Sequence, residues 1–236
     1  MEFDVFAFSE TWLNFSIANE SIVIPGYSYP MRKDRFGKRG GGVAIYVKDH
    51  IAVKRRVEFE YSAGLELLWV QCNVDNFSFL CGVCYRPPNQ SAIEEKAFFE
   101  SLQMCFDNIK SCGQIFSAVV LGDFNAHFNY GDTLSPNTDI GIRVFNFLES
   151  NHLYQLADNP TRITQTGESI LDLIISDSPG FFVSSGTLSP PANCDHSIIY
   201  ANLNCQQHQP KSFSREIWNF NDVDIDGLNS TLSSVD

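Results

Sequence analysis

The stretch Val119-Val120-Leu121-Gly122-Asp123-Phe124-Asn125 decides how this chain is read. Three apolar residues suited to a buried strand run into a glycine, a carboxylate and, two residues on, a carboxamide. In extended chain, residues two apart share a side, so Asp123 and Asn125 face one ligand beyond the strand end. The design recurs. Glu10 closes the apolar run Val5–Phe8, Asp172 interrupts Ile170–Ile175, and Asp195-His196 opens onto Ser197-Ile198-Ile199. A charge beside or inside a core strand is costly unless a partner compensates it. The four places together predict one polar site at the rim of a sheet. A metal ion is the natural partner for the carboxylates, and the pattern suits a metal-dependent phosphoesterase.

Around that stretch, strand-like runs recur at Val5–Phe8, Val43–Val47, Leu67–Val74, Phe77–Tyr85, Ala118–Leu121, Leu171–Ile175 and Ile198–Leu203. Asp75-Asn76 predicts a hairpin between two of them, and Gly40-Gly41-Gly42 a turn or close backbone approach. Helices intervene. Ser91 and Glu94 have capping-box spacing, followed by Phe98, Phe99, Leu102, Phe106 and Ile109 on one helical face. A second helix is expected over Gly141–Ser150, with Ile142, Phe145 and Leu148 inward and Asn151 as its stop. Hairpins mixed with helices predict an α+β layered arrangement rather than a strictly alternating parallel sheet. From about Gln206 the chain turns polar and restarts with a weak helical pattern between Arg215 and Leu232. Residues 206–236 therefore read as a linker toward an absent downstream region.

The 236 residues suffice for one sizeable domain, and 44% hydrophobic with 13% aromatic content predicts a folded core. No apolar run approaches the roughly 18 residues of a membrane span, so no membrane partner is expected. Glu2 and Asp4 stand where a signal peptide would carry positive charge, which predicts an intracellular protein, nuclear or cytoplasmic. The seven scattered cysteines suit reduced thiols there. Cys81 and Cys84 form a Cys-x-x-Cys, but their odd separation in a strand puts them on opposite faces. A net charge of −12 argues against broad, nonspecific nucleic-acid binding. A local footprint remains: Arg32, Lys33, Arg35, Lys38 and Arg39 fall within eight residues, opposed only by Asp34. The cluster is either a solvated loop or a phosphate contact, and its place beside the candidate site favours phosphate.

Six segments carry a resemblance: Ser9-Glu10-Thr11-Trp12-Leu13, Gly40–Ile45, Tyr85-Arg86-Pro87-Pro88-Asn89, Gly122-Asp123-Phe124-Asn125, Ile170–Ile174 and Asp195-His196-Ser197. In this order and spacing they resemble the exonuclease–endonuclease–phosphatase superfamily. More narrowly, the chain resembles the apurinic-endonuclease-like endonuclease domain of LINE-type (non-LTR) retrotransposons over residues 3–205. The resemblance implies a four-layer α/β-sandwich and a Mg²⁺-dependent DNA endonuclease, with Mn²⁺ as the substitute ion. It also implies a nick that leaves a 3′-hydroxyl, no small-molecule cofactor, and a reverse transcriptase domain in the parent element. Glu10 matches the metal-binding glutamate, and Asp195 the aspartate near the metal. Asp123 matches the residue that orients and deprotonates water, Asn125 a phosphate-contacting amide, and Tyr85 a hydroxyl that reaches the scissile phosphate. His196 matches the phosphate-binding histidine and Asp172 the acid that orients it. Arg35, Lys38, Arg39, Asn89 and, more loosely, Thr161 are the substrate-binding candidates. His127 reads as structural or rim, and Thr164–Glu168 as a turn.

Three departures accompany the resemblance. The family's first strand and helix, with an asparagine that supports the metal, would precede Val5–Glu10, so a sandwich lacking that strand and helix is expected. Cys194 stands where serine is usual, and no reverse transcriptase follows. Two other functions therefore compete. One is another phosphoesterase of the superfamily, which the Gly-Gly-Gly-Val-Ala-Ile and Tyr-Arg-Pro-Pro-Asn segments disfavour. The other is a catalytically impaired remnant that binds nucleic acid weakly at most.

Overall fold

The computed structural model describes residues 3–60, 64–75, 77–113, 117–129, 135–136, 138–164, 167–191, 194–205 and 224–234. Contacts divide the chain into Met1–Gln206 and Gln207–Asp236. Within the second unit the described part is one short helix, α3 (Ile225–Leu232), capped by the Asp224 side chain, which accepts from the Gly227 N–H. Residues 206–223, most of the expected linker, lie outside the described residues.

In the first unit the strands are β1 (Val5–Ser9), β2 (Met31–Lys33), β3 (Val43–Val47), β4 (Ala52–Arg55), β5 (Glu66–Val74), β6 (Phe77–Tyr85) and β7 (Ala118–Asn129). After them come β8 (Ser135–Pro136), β9 (Tyr154–Gln155), β10 (Arg162–Thr164), β11 (Gly167–Ser176), β12 (Phe182–Leu188) and β13 (Ile198–Leu203). An eight-stranded sheet runs β10-β11-β7-β6-β5-β4, with β8 added to β7 and β9 to β11. Among the described residues its one parallel pair is β6–β7, because α1 (Ala92–Cys112) makes the crossover between them. All other pairs are antiparallel. Two smaller sheets, β1-β3-β2 and β12-β13, pack on its other face.

The period-two alternation of the central strands builds two cores from the same residues' opposite sides. Leu67, Trp69, Leu80, Cys84, Val120 and Leu173 pack against Phe98, Leu102, Phe106 and Ile109 of α1 and against α2 (Asp139–Asn151). Leu68, Val70, Cys81, Val83, Val119 and Ile174 pack against Val43, Ile45 and Val47 of β3, with Ile199 and Ala201 of β13 at the margin. Cys81 and Cys84 fall in different cores, as their spacing requires, and burial pushes the Cys81 thiol up to about 12. The expected α+β sandwich is present. Its described layers are a helix pair, the large sheet and the layer of two small sheets, with both α-helices of the first unit on one face.

α1 begins at the expected capping box. Ser91 accepts from the Glu94 N–H while Glu94 accepts from the Ser91 N–H. α2 starts at Asp139 and turns a different face inward from the one expected. Val144, Phe147, Leu148 and Asn151 are buried, whereas Ile142 is 47% exposed and Phe145 only half-buried. Gly141 sets this phase, because it lies flat against the His127 carbonyl of β7 and its helical face must follow it inward. Buried Asn151 stays satisfied by exchanging hydrogen bonds with Gln103 of α1 at 2.8 Å each way.

A second correction concerns β7. It does not stop at Leu121 but runs on through Asn129. Between Asp123 and Phe128 it carries three more residues than its partner β11 does between Ile170 and Asp172. That bulge re-aims the strand at the site. The short strands β2, β4, β9 and β10 and the polar β12 lack the apolar runs that mark a strand, so the pattern does not predict them. Asn76, at the expected hairpin tip, and Gln165-Thr166, in the expected turn, lie outside the described residues.

Candidate active site

Strand register assembles the site. Glu66 pairs with Tyr85, Tyr85 with Asp123, and Asp123 with Asp172, so four neighbouring strands offer one row of polar side chains. Paired residues project to one face. Here it is the face toward the small sheets, where Tyr85 is a member of the core cluster. Gly122 makes the row possible. Its φ is +142°, and a Cβ there would lie 1.9 Å from the Cys84 carbonyl oxygen, so any side chain would force β7 off β6.

Asp123 is 7% exposed and Asp172 8%. Burial, then the adjacent Asp172, pushes the Asp123 carboxyl up to about 7. Asn125, left-handed at φ +46°, folds back over it. Its backbone N–H donates to Asp123 Oδ1 at 2.8 Å and its side-chain amide to Oδ2 at 2.9 Å. The expectation that the two residues share one side is met by this turn rather than by extended chain. His196 completes the cluster with Nδ1 2.7 Å from Asp172 Oδ2. That hydrogen bond, outweighing burial, raises the imidazole's pKa. Ligand atoms of Asp123, Asp172 and His196 all lie within 4.8 Å of one another.

Glu10 approaches from β1's end with a positive φ of +51°. One carboxylate oxygen accepts from the Tyr85 hydroxyl and the other from the Trp12 indole N–H at 3.2 Å. Burial and this carboxylate raise the Tyr85 pKa, keeping the hydroxyl protonated as a donor. Glu10 also contributes to holding the Asp123 carboxyl high. The mutual repulsion of the Glu10, Asp123 and Asp172 carboxylates fits a hard divalent cation, which takes oxygen ligands. Among the described residues the cluster whose ligand atoms come together is Asp123, Asp172 and His196, and neither Glu10 nor Asp195 falls within it. Asp195 is instead exposed and bound to Arg162 Nε at 2.9 Å. Burial pushes it up, but the Arg162 hydrogen bond and charge outweigh that and leave its carboxyl below the usual range.

The substrate-binding candidates separate by exposure. Thr161 is 0% exposed. Its hydroxyl accepts from the Leu171 and Asp172 N–H groups at 2.9 and 3.0 Å, filling the β11 irregularity, and its carbonyl accepts from the Ser197 N–H. It holds Asp172 and the chain beside His196 in place. Arg35 turns inward onto Glu66, with Nε–Oε1 at 2.6 Å. Lys38 reaches Glu94 at 3.3 Å with its side chain 74% exposed, and Arg39 lies 5.4 Å from the Trp12 ring centre. Arg32 is likewise occupied, by Asp34 and the Ile17 carbonyl. Thus Asp34 is not the cluster's only opponent; Glu66 and Glu94 arrive from distant sequence. Asn89, φ +58°, is exposed at the mouth of a cavity of about 520 Å³ lined also by Arg35, Lys38 and Tyr85.

Gly41 and Gly42 explain the glycine run. A Cβ on Gly41 would meet the Arg35 guanidinium at 2.3 Å, and one on Gly42 the Thr11 hydroxyl at 2.7 Å. Their carbonyls accept from the Trp12 and Thr11 N–H groups, and the Gly42 N–H donates to Glu66. The basic loop is thereby tied to the Glu10 segment. Three functional neighbours are not predicted from sequence: Glu66, Arg86 and Arg162. Arg86 lies inside the Tyr85–Asn89 segment but takes its partners from carbonyls far off in sequence, and Glu66 lies in none of the six segments. Arg86, 4% exposed, donates to the carbonyls of Phe124 and Asn125 at 2.6 and 2.8 Å, and so holds the bulge of β7 from behind.

A sequence model described as "Endonuclease-reverse transcriptase" matches residues 79–200, more than half of the chain. The chain belongs to this family. Its matched segment contains Tyr85, Asp123, Asn125, Asp172 and His196. No curated protein matches it by sequence. Among solved structures, the endonuclease domain of TRAS1, a telomere-specific non-LTR retrotransposon, superposes with a TM-score of 0.62 at 16% identity, covering 78% of this chain and 83% of that one. A 3′–5′ exonuclease from Neisseria meningitidis gives 0.61 at 14% identity, covering 86% and 90%. An endonuclease/exonuclease/phosphatase family protein from Leptotrichia buccalis gives 0.54 at 15%, covering 86% and 88%. At such identities these likenesses establish the fold, an endonuclease/exonuclease/phosphatase nuclease fold. No helix among the described residues is long and apolar enough to cross a membrane.

Proposed function

We propose that this chain is the DNA endonuclease domain of a non-LTR retrotransposon, acting with Mg²⁺ or Mn²⁺ to nick one strand and leave a 3′-hydroxyl. The observation that carries it is the row Tyr85–Asp123–Asp172 with His196 on Asp172. Phosphodiester hydrolysis needs a water held in line and charge placed on the phosphoryl oxygens. Asp123, with both oxygens fixed by Asn125, orients that water and takes its proton. His196 is kept charged by Asp172 and donates from its free ring nitrogen to a phosphate oxygen. Tyr85 and Asn125 line the same spot. Glu10 would hold the divalent ion, which would supply Lewis-acid neutralisation of developing negative charge. Lys38, Arg39 and Asn89 contact the DNA backbone beside it. The parent element would supply a reverse transcriptase that extends the 3′-hydroxyl inside the cell.

A supercoiled plasmid tests this. With Mg²⁺ it should become nicked circle, and the nick should prime a DNA polymerase, which requires a 3′-hydroxyl. Chelator should abolish the reaction, and Glu10→Ala should nearly do so. Full nicking in chelator would overturn the metal assignment. One arrangement favours a second reading, the impaired nucleic-acid binder: both Glu10 oxygens are engaged by Tyr85 and Trp12, and Asp195 by Arg162. A folded chain that binds plasmid without nicking it under any divalent ion would select that reading.

A further inference from the structure

Trp12 is an anomaly that the nuclease chemistry leaves unused. It is 55% exposed, although a tryptophan usually buries most of its ring. It also adopts φ +56°, two residues after Glu10 at φ +51°. Two bulky residues so close together in the left-handed region cost free energy that the surrounding structure must enforce. The enforcement is visible. The Trp12 N–H donates to the Gly41 carbonyl at 2.8 Å, and Gly40 lies against the ring, where a Cβ would stand 3.5 Å away. Arg39 rests on the ring from the same loop. Phe36, at that loop's tip, is 96% exposed. Exposed aromatics next to cations suit unpaired or tilted nucleobases, because every base offers a stacking face. The inward edge of the ring does something else: Nε1 donates to Glu10 Oε2 at 3.2 Å.

Resting on the endonuclease reading above, we propose that Trp12 joins DNA contact to the metal-facing carboxylate. Its exposed ring stacks on a nucleobase flanking the nick, while its indole N–H fixes the rotamer of Glu10. Trp12 is thus a positioning residue for Glu10 and a binding residue for DNA, and the two roles use different parts of one side chain. A phenyl ring keeps the stacking face and loses the N–H. An alanine loses both.

The test uses the full chain with Trp12→Phe, Trp12→Ala and Glu10→Ala, and two readouts that need no turnover. Mn²⁺ affinity is read without DNA from the paramagnetic resonance of the free ion. Affinity for a fluorescent duplex is read in chelator. Trp12→Phe should bind Mn²⁺ about tenfold more weakly, the usual cost of losing an outer partner of a metal ligand, and bind DNA within about threefold of the parent. Trp12→Ala should lose both, its DNA affinity by about tenfold or more. Unchanged Mn²⁺ affinity in Trp12→Phe, or unchanged DNA affinity in Trp12→Ala, overturns the proposal. If Glu10→Ala also leaves Mn²⁺ affinity unchanged, the metal assignment fails first; if it weakens binding and Trp12→Phe does not, only the Trp12 role fails. Should Trp12→Ala not fold, Trp12→Leu keeps the bulk without an aromatic face and carries the DNA arm with the same expected loss.

Discussion

The two faces of the large sheet are built from the same strands but differ in what they tolerate at the ends of those strands. Toward α1 and α2, Trp69, Phe106, Phe124, Phe128 and Phe147 make an apolar core in which Phe106 meets Trp69 and Phe147 edge to face, both at 5.9 Å. Toward the small sheets the apolar core gives way to Glu66, Tyr85, Asp123 and Asp172, two of them carboxylates in direct register. Phe124 is fully buried on one side while Asp123 and Asn125 serve the other. A sheet can keep like charges adjacent on one face when its reverse face is packed tightly enough to hold the strands where they are.

The largest effect that could break this contrast is catalytic. His196→Ala, Asp172→Ala and the double variant should each slow plasmid nicking by about 10²–10⁴-fold, by similar amounts. In this reading the dominant effect of the carboxylate on rate runs through the ring it orients. Multiplicative losses in the double variant would show that they act independently.

Next comes the opposite face. Phe106→Ala should lower stability by about 3–5 kcal/mol in denaturant unfolding, while leaving the nicking rate of the folded fraction within about twofold. A comparable loss of rate would mean that the helix face also tunes the site.

Smaller is the pH response of the metal-free protein. Asp123 is raised from 3.8 to about 7 on folding, so the folded state holds a proton that the unfolded state gives up. His196 is raised as well, so its contribution is present at low pH and lost as pH climbs through its folded value. Both act in one direction. The melting temperature should fall from about pH 4 to about pH 7, and further as pH climbs through the folded value of His196. Asp123→Asn should flatten that slope, and added Mg²⁺ should restore most stability at the alkaline end. A flat profile in the parent would contradict the placement of these two groups.

Smallest is the basic rim. Neutralising Lys38 and Arg39 should weaken DNA binding across all sequences and reduce the salt slope by roughly one unit per lost contact. Arg35→Gln should instead disturb the Gly41–Gly42 turn through Glu66, with little change in slope. A slope that responds to Arg35 alone would reverse the assignment.

Much of this was legible. Runs such as Leu67–Val74 and Phe77–Tyr85 announce strands because they are long and apolar, and Ser91 with Glu94 announces a helix start because the cap is local. Asp123, Asn125, Asp172 and His196 stood out because polar groups among core residues need a reason. What could not be read depends on register and on partners far away. Nothing near Arg35 says that Glu66 will neutralise it, and nothing near Asp195 that Arg162 will draw it outward. Nothing in the sequence says that the Thr161 hydroxyl will accept from the Leu171 and Asp172 N–H groups at the β11 irregularity. The phase of α2 was lost for a similar reason, since Gly141 carries no hydrophobic signal.

The polar row and the two side chains bound to it, Glu10 and His196, come from nearly the whole length of the first unit. Such pairings close long loops, and the entropy of closing them is lost before any contact is gained. Competence should therefore appear late in folding, after the α1 crossover has set β7 beside β6 and β11 has found its register. A newly made chain would lack the assembled site until residues 10–196 have all been made and paired.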